Sequence, residues 1–268
     1  MCARKTNQYQ VKIQLLPSTF DAFGRAGLEQ RLTCFLIDDC VAIDAGSIGI
    51  ALTPAQRSTV RDIVITHTHI DHIATLPVLI DDLFGALREP LRVHATAETI
   101  ELLERDVFNW QLYPRFSELS NEHTPVMRYV PFRLGEEFSV AHLQIMAVAV
   151  NHAVPSVGLL VSDHSVNVAF SSDTAETEEF WHLVNQAPHL AALLIECSFP
   201  NAMAKLARIS KHLTPAILRT ELSKLVRPES DILTVHLKPA YRAEIVKELA
   251  ALNIARLQVM TPGRVYEW

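Results

Sequence analysis

Short apolar runs bounded by turn residues recur along most of the chain and predict β-strands. They cover residues 11–16, 33–37, 41–43, 62–66, 144–150, 158–162, 167–170, 191–195, 231–235 and 256–260. Asp38 and Asp39 separate the second run from the third, and this pair predicts a hairpin turn between the two strands.

Segments with the apolar spacing of helices alternate with these runs. They lie near residues 53–59, 73–87, 176–186, 202–208, 214–226 and 240–251. The alternation predicts an α/β protein with mixed sheets. Because the sequence shows no linker, internal repeat or low-complexity tract, we expect a single domain over residues 1–268.

Residues 96–121 are mostly helical in pattern but irregular, and they carry three bulky aromatic side chains, Phe108, Trp110 and Tyr113. An aromatic segment of this kind, set between regular elements, is typical of a functional loop. We therefore predict that it forms an insertion or lid over the functional site.

Composition narrows the class of protein. Of the 268 residues, 49% are hydrophobic and 20% are charged, which is ordinary for a globular core. The formal net charge is -6. Nucleic-acid-binding proteins usually carry a basic excess or a basic stripe, so the charge disfavours a nucleic-acid partner and favours a small molecule.

The N-terminal residues lack the apolar core of a signal peptide, and no apolar run approaches the roughly 18 residues that cross a bilayer. We therefore expect a soluble cytoplasmic protein without membrane association. The cysteines contain no C-x-x-C pair, and they are expected to be reduced and not catalytic. They are Cys2, Cys34, Cys40 and Cys197.

The strongest chemical signal is the segment Thr66–Ile73, which follows an apolar strand and reads T-H-T-H-I-D-H-I. Four ligand-type side chains lie within six residues. His67 and His69 are two residues apart and can face one metal ion, while Asp71 and His72 lie further round the turn and can face a second. Imidazole and carboxylate ligands suit zinc, and also manganese or iron.

Three further ligand-type residues follow other predicted strands. His152, Asp173 and His236 each come within three residues of the end of an apolar run. A carboxylate can offer one oxygen to each of two cations, so Asp173 is the candidate bridging ligand. The pattern predicts a site for two divalent metal ions, with zinc as the expected identity and manganese or iron as alternatives.

The H-x-H-x-D-H motif, followed by isolated His, Asp and His at strand ends, resembles the metallo-β-lactamase superfamily over nearly the whole chain. The resemblance implies an αβ/βα four-layer sandwich of two mixed β-sheets flanked by helices. It implies one metal ion held by His67, His69, His152 and Asp173. It implies a second ion held by Asp71, His72, Asp173 and His236.

Two later segments resemble one branch of that superfamily. The stretch I-E-C-S at 195–198 and the stretch H-L-T-P at 212–215 resemble the class II cyclic-nucleotide phosphodiesterases. The same positions are similar to ribonuclease Z, in which a glutamate orients a histidine over the scissile phosphate. The resemblance implies that His212 acts on the leaving group, that Glu196 orients it, and that Asp71 also belongs to the catalytic centre.

The expected function is hydrolysis of a 3′,5′-cyclic nucleotide, such as cyclic AMP, to its 5′-monophosphate. The alternatives are tRNA 3′ processing of the ribonuclease Z kind, another hydrolase on this scaffold, and a non-catalytic metabolite sensor. A homodimer is left open by analogy. Asp44 is expected either to orient a ligand such as His72 or to shape a turn, and contacts of Lys211 or Lys238 with phosphate are left open.

Overall fold

The computed structural model describes residues 11–227 and 229–268, and Cys2 lies outside that part of the chain. The fold contains two seven-stranded sheets. The first has the order β14-β1-β2-β3-β4-β5-β6. Its strands are β1 (Lys12–Leu15), β2 (Phe35–Ile37), β3 (Val41–Ile43), β4 (Asp62–Val64), β5 (Leu91–Ala95), β6 (Met127–Pro131) and β14 (Val265–Glu267).

The second sheet has the order β13-β12-β11-β10-β9-β8-β7. Its strands are β7 (Glu137–Val140), β8 (Leu143–Ala149), β9 (Val157–Ser162), β10 (Asn167–Phe170), β11 (Leu190–Glu196), β12 (Asp231–Val235) and β13 (Leu257–Val259). In both sheets a parallel half, β3–β6 or β10–β13, is extended by antiparallel strands.

Helices cover the outer faces of both sheets. They are α1 (Ile48–Ala51), α2 (Pro54–Thr59), α3 (Ile70–Ile73), α4 (Leu76–Leu83), α5 (Ala97–Asp106), α6 (Glu179–Gln186), α7 (Ala204–Ser210), α8 (Pro215–Leu222) and α9 (Arg242–Ala251). Thr53 and Thr214 cap α2 and α8 through their side chains, each followed by a proline at the first helical position. None of the described helices is both long and apolar enough to cross a bilayer.

Alternate side chains of the central strands serve different cores. On β4, Val64 packs between the sheets, while the flanking Ile63 packs under the helices of the first sheet. On β11, Leu194 faces the core between the sheets and Leu193 faces the helices of the second sheet. The result is four layers in the order helices, sheet, sheet, helices, and the predicted sandwich of two mixed sheets is confirmed.

The topology brings several strand ends to one edge. Parallel strands β10, β11 and β12 end side by side. β8 ends at the same edge, because β9 runs antiparallel to both β8 and β10. Each of these strands is followed by at least one predicted site residue. The functional side chains therefore meet at one edge of the sandwich without a long functional loop.

The ten strands predicted from apolar runs are present: three have the predicted ends, and the others differ by one or two residues at one or both ends. The turn predicted at Asp38 and Asp39 is also present, and both residues have positive φ, as the tight hairpin between β2 and β3 requires. Strands β5, β6, β7 and β14 were not predicted from the sequence. Strand β5 has no continuous apolar pattern, because Arg92 and His94 interrupt it. Both side chains are accommodated in the fold because they form hydrogen bonds with the buried carboxylate of Asp62.

The segment 96–121 begins with α5 and belongs to the connection between the parallel strands β5 and β6. Phe108 and Phe116 are buried in the core under the first sheet. The side-chain amide of Asn121 donates hydrogen bonds to the carbonyl oxygens of Phe84 and Leu87. These contacts anchor the segment against the helical layer, and its role as a lid stays a prediction.

Candidate metal centre and its histidine–glutamate pair

The H-x-H-x-D-H turn follows β4 and enters the short helix α3. Two backbone hydrogen bonds tie it to the neighbouring chain: Thr33 N donates to Asp71 O at 2.7 Å, and Ala45 N donates to His72 O at 2.7 Å. Gly46 allows this close approach, because a Cβ there would collide with the carbonyl oxygen of Asp71 and the backbone of Thr33. The loop after β3 therefore fixes the turn that carries the cluster.

All seven predicted metal ligands meet at this edge, in two groups whose ligand atoms lie within 4.8 Å of one another. Asp173 belongs to both groups, as expected for a bridging carboxylate. The first group is His67, His69, His152 and Asp173. The second group is Asp71, His72, Asp173 and His236.

Asp173 lies at the centre of the cluster. Its Oδ2 is 3.1 Å from His236 Nε2, 3.4 Å from His72 Nε2 and 3.8 Å from His67 Nε2. In the first group, His152 Nε2 and His69 Nδ1 are 3.0 Å apart. Two nitrogens each about 2.0–2.1 Å from a tetrahedral zinc ion are separated by roughly 3.3 Å, so this spacing fits ligands of one cation.

Polar partners fix the orientation of the two most buried histidines. His67 Nδ1 lies 3.0 Å from the hydroxyl of Thr66. His72 Nδ1 lies 2.7 Å from Asp44 Oδ2, and the same carboxylate accepts hydrogen bonds from the backbone and hydroxyl of Thr66. The expected hydrogen bond between Asp44 and His72 is present, and it fixes the orientation of the His72 ring. In both rings Nε2 is left to face the cluster.

The other two strand-end histidines are held in the same way. His152 Nδ1 lies 3.1 Å from the carbonyl oxygen of Lys211, and His236 Nδ1 lies 3.1 Å from the hydroxyl of Thr33. Neither partner was predicted from the sequence. No local signal marks them, because they are 59 and 203 residues away from their histidines.

The donor set fits divalent metal ions. Nε2 of His67 and Nε2 of His72 are buried, and neither has a hydrogen-bond partner among the described residues. Buried polar atoms in folded proteins are nearly always satisfied, so two ring nitrogens without a hydrogen-bond partner, both facing one carboxylate, fit a role as metal ligands. Imidazole nitrogens and carboxylate oxygens are ligands that zinc and related ions take.

The electrostatics of the cluster agree with this conclusion. Burial lowers the pKa of His67 well below its ordinary value, helped by the neighbouring His72, which keeps His67 in the neutral form that coordinates metals. Burial would likewise lower the pKa of His72, but the charges of Asp173 and Asp44 raise it. Without metal, a proton on His72 thus offsets part of the buried negative charge that a cation would otherwise balance.

The pair formed by Glu196 and His212 lies beside the two groups. His212 Nδ1 is 2.7 Å from Glu196 Oε1, and an atom from each, with one from Asp173, lies within 4.8 Å of the others. Burial would lower the pKa of His212, but the charge and hydrogen bond of Glu196 raise it. The His212 ring stacks on His236 with centroids 5.6 Å apart.

Other groups saturate the Glu196 carboxylate and lock its position. Ser198 Oγ donates to Oε2 at 2.8 Å, Leu213 N donates to Oε2 at 3.2 Å, and Thr174 N donates to Oε1 at 3.0 Å. The I-E-C-S stretch includes Ser198, but no role was predicted for this residue from the sequence. The adjacent thiol of Cys197 is buried, and burial raises its pKa well above the ordinary value, which agrees with a non-nucleophilic role.

Four residues beside the cluster have the left-handed backbone conformation that non-glycine residues rarely adopt. They are Asp44, Ser172, Lys211 and His236, with φ between 54° and 61°. Such outliers persist where surrounding structure holds them, and they concentrate at functional sites. Asp44, Ser172 and Lys211 lie in turns beside the predicted site residues, and His236 is itself a predicted ligand. The unusual backbone conformations therefore occur at the edge of the sandwich that forms the site.

Comparison with known sequences agrees with this arrangement. The sequence profile of the family described as "Beta-lactamase superfamily domain" matches residues 38–257. A probable 3′,5′-cyclic-nucleotide phosphodiesterase of Yersinia pestis is 24% identical over 210 residues, covering 69% of this chain and 59% of that protein. A ribonuclease J of Sinorhizobium meliloti is 32% identical over 144 residues, covering 52% of this chain and 22% of that protein.

The chain thus spans 59% and 22% of the lengths of these two relatives in the matched regions. Among solved structures, unliganded yeast PDE1 superposes with a TM-score of 0.75 at 17% identity. The superposition covers 95% of this chain and 98% of the yeast chain. At this level of identity the likeness shows a shared fold.

Proposed function

This chain belongs to the β-lactamase superfamily, and on that premise we propose that it is a metal-dependent phosphodiesterase. The observation that carries the proposal is the pair of ligand groups sharing Asp173, with the Glu196–His212 pair within reach of that same carboxylate. In this proposal one ion is held by His67, His69 and His152, and the other by Asp71, His72 and His236. Asp173 is the ligand that they share.

The two ions, when bound, supply a nucleophile at neutral pH and neutralise charge on the phosphoryl oxygens. The chain's own contribution is the handling of the leaving group. When the bond between phosphorus and the ester oxygen breaks, that oxygen needs a proton. His212 is placed to donate it from the ring nitrogen that does not face Glu196, because Glu196 occupies Nδ1.

For the substrate, we propose a 3′,5′-cyclic nucleotide such as cyclic AMP. Addition of water at phosphorus breaks the bond to O3′, and the proton from His212 goes to O3′, giving the 5′-monophosphate. The Yersinia pestis relative and the fold of yeast PDE1 support this choice. The net charge of -6 also favours a small substrate over a long polyanion.

RNA cleavage is the second candidate, because a ribonuclease J matches about half of the chain. A panel of substrates separates the two. Cyclic AMP, cyclic GMP, a linear dinucleotide, a precursor tRNA and bis-p-nitrophenyl phosphate would each be tested with zinc and with manganese. Preferred turnover of cyclic nucleotides supports the proposal, while preferred cleavage of RNA with a steep salt dependence would replace it.

The inactive control for this panel is His67→Ala, which removes a ligand of the first group. If the protein with both ions bound hydrolyses no phosphodiester, the proposal is wrong and a sensor role takes its place. Zinc as the resident ion, a cytoplasmic location, a single domain and a homodimer remain proposals. Metal analysis of protein purified without added metal and measurement of its mass in solution would test the first and last of these.

A further inference from the structure

One cation of the chain itself reaches the candidate metal centre. The ammonium of Lys238 lies 3.4 Å from Asp71 Oδ2 and 3.2 Å from His236 Nε2. Both of these atoms belong to the second ligand group. Within residues 11–227 and 229–268, no other lysine or arginine side chain forms a hydrogen bond or ion pair with any of the seven ligand residues.

The backbone places Lys238 firmly. Pro239 follows it, and a residue before proline is restricted to an extended conformation, which Lys238 adopts with φ -61° and ψ 123°. Its N–H donates to the carbonyl oxygen of Ser198 at 3.3 Å, and Tyr241 N donates to the Lys238 carbonyl oxygen at 2.9 Å. The backbone of Lys238 is therefore held in place beside His236, and this restricts the positions that its ammonium can reach.

The two ligand groups consequently differ in what a metal ion has to displace. In the first group, His67, His69 and His152 face one another and Asp173 without an intervening cationic side chain. In the second group, an ammonium already pairs with one carboxylate and approaches one imidazole. A unit positive charge this close opposes the approach of a divalent ion and competes for the same ligand atoms.

We propose that Lys238 is an internal competitor for the second metal ion, which makes the group of Asp71, His72, Asp173 and His236 the weaker of the two sites. The inference rests on the two-metal centre of the proposed function and adds an order of filling: the first group fills first, and the second fills only when the ion displaces the ammonium. Lys238 thereby determines how much free metal the fully loaded centre requires.

Stepwise metal binding tests this directly, without measuring activity. Metal-free wild type, Lys238→Met, Lys238→Gln and Lys238→Arg would be titrated with Zn²⁺, and separately with Mn²⁺, against a chromophoric chelator at neutral pH. The matched control is Lys205→Met, which removes an exposed lysine of α7 that forms no hydrogen bond or ion pair with a ligand residue in the described part of the chain. Thermal melting of each metal-free variant would verify that it is folded.

We expect the second dissociation constant to fall about tenfold or more in Lys238→Met and Lys238→Gln, with the first nearly unchanged. Lys238→Arg, which keeps the charge, and Lys205→Met should resemble wild type. The inference is overturned if the second dissociation constant is unchanged or larger in both neutral variants. It is also overturned if both dissociation constants change equally, or if every protein binds a single ion. Loss of the proposed function is scored separately, as absence of phosphodiester hydrolysis with both ions bound.

Discussion

At the scale of single residues, the chemistry proposed for this chain depends on His212 more than on any other side chain that is not a metal ligand. His212→Ala removes the proton donor but no member of the two ligand groups. We expect turnover of cyclic AMP to fall about 10²- to 10⁴-fold, with two ions still bound. Initial rates together with metal analysis of the same sample would measure this.

The leaving group provides the control for that variant. p-Nitrophenolate leaves without protonation, so the loss with bis-p-nitrophenyl phosphate should be much smaller than the loss with cyclic AMP. An equal loss on both substrates would mean that His212 shapes the site and does not donate a proton. Glu196→Gln should follow the same pattern with a smaller effect, because it keeps the His212 ring and removes the charge of its Nδ1 partner. The new amide nitrogen cannot accept the hydrogen bonds that Thr174 N, Ser198 Oγ and Leu213 N donate to the carboxylate, so thermal melting would verify that the variant is folded.

Asp44 is the residue whose role the sequence left open between a turn and a ligand partner. Its carboxylate binds His72 Nδ1 and Thr66 at once, so Asp44→Asn should weaken metal binding about 10- to 100-fold while the fold is kept. A chelator competition assay would measure the change. If both dissociation constants match those of wild type, Asp44 serves only the turn.

The ligands themselves could be predicted from the sequence because each is a distinctive side chain directly after an apolar run. Their partners could not. Thr33 is an ordinary hydroxyl that becomes important only when the fold brings it to His236. The partner of His152 is a backbone carbonyl oxygen, which every residue has, so the residue type at position 211 gives no signal for this contact. The contact of Lys238 with Asp71 spans 167 residues and depends on the same folding.

At the scale of elements, the loop between β3 and α1 positions the turn that carries the metal ligands. Gly46→Ala would place a methyl group against the Asp71 carbonyl oxygen and the Thr33 backbone. We expect a loss of about 1–3 kcal/mol in the free energy of unfolding, together with weaker metal binding as Asp71 shifts. Urea unfolding and metal titration would measure the two effects.

Gly85→Ala is the matched control for that substitution. A Cβ at Gly85 meets no atom within 4 Å, so both quantities should stay within error of wild type. If Gly46→Ala is destabilised but binds metal as wild type does, the loop contributes to stability without positioning the ligands, and this prediction is wrong.

Strand pairing far from the metal centre depends on a different charged cluster. Burial would raise the pKa of Asp62 on β4, but hydrogen bonds from Arg92 and His94 on β5 lower it to about 2, from an ordinary value of 3.8. The folded-state pKa is below the unfolded one, so the stabilisation is complete above about pH 4 and is lost as the pH falls toward 2. Because the Arg92 side chain is 32% exposed, we estimate about 1–2 kcal/mol.

Urea unfolding of metal-free protein between about pH 5 and pH 2 would test this, with Asp62→Asn as the comparison. The wild type should lose more stability over that range than the variant does. Parallel curves for the two proteins would show that Asp62 does not titrate as described. The same cluster explains why β5 escaped prediction: a buried network made its central positions polar.

At the scale of the whole molecule, the alternation of strands and helices was enough to predict an α/β domain, and the resemblance of the ligand motif to a known superfamily supplied the sandwich. Periodicity alone could not assign the two sheets. The segments Leu91–Ala95 and Met127–Pro131 pair with each other within the first sheet across a long connection, and the local sequence pattern does not specify such a pairing. The lid near 96–121 was predicted from the aromatic residues of that segment. Aromatic residues are equally suited to buried positions, and Phe108 and Phe116 occupy such positions.

The last prediction concerns the coupling of metal binding to the stability of the whole domain. The ligands come from the ends of β4, β8, β10 and β12, so an ion bound there joins strands of both sheets. An ion that binds only the folded chain stabilises it by about 2.7 kcal/mol at one hundred times its dissociation constant. At roughly 2–4 °C per kcal/mol for a domain of this size, removal of both ions with a chelator should lower the melting temperature by at least about 5 °C.

Adding metal back should restore the melting temperature of wild type and of His212→Ala, because that variant keeps every ligand. It should restore His67→Ala much less, because that variant lacks a ligand of the first group. Calorimetry beside metal analysis of the same samples would measure both. If wild type melts at the same temperature with its ions demonstrably removed, the sheets do not depend on the cluster, and the ligand groups would have to bind metal too weakly for the proposed chemistry.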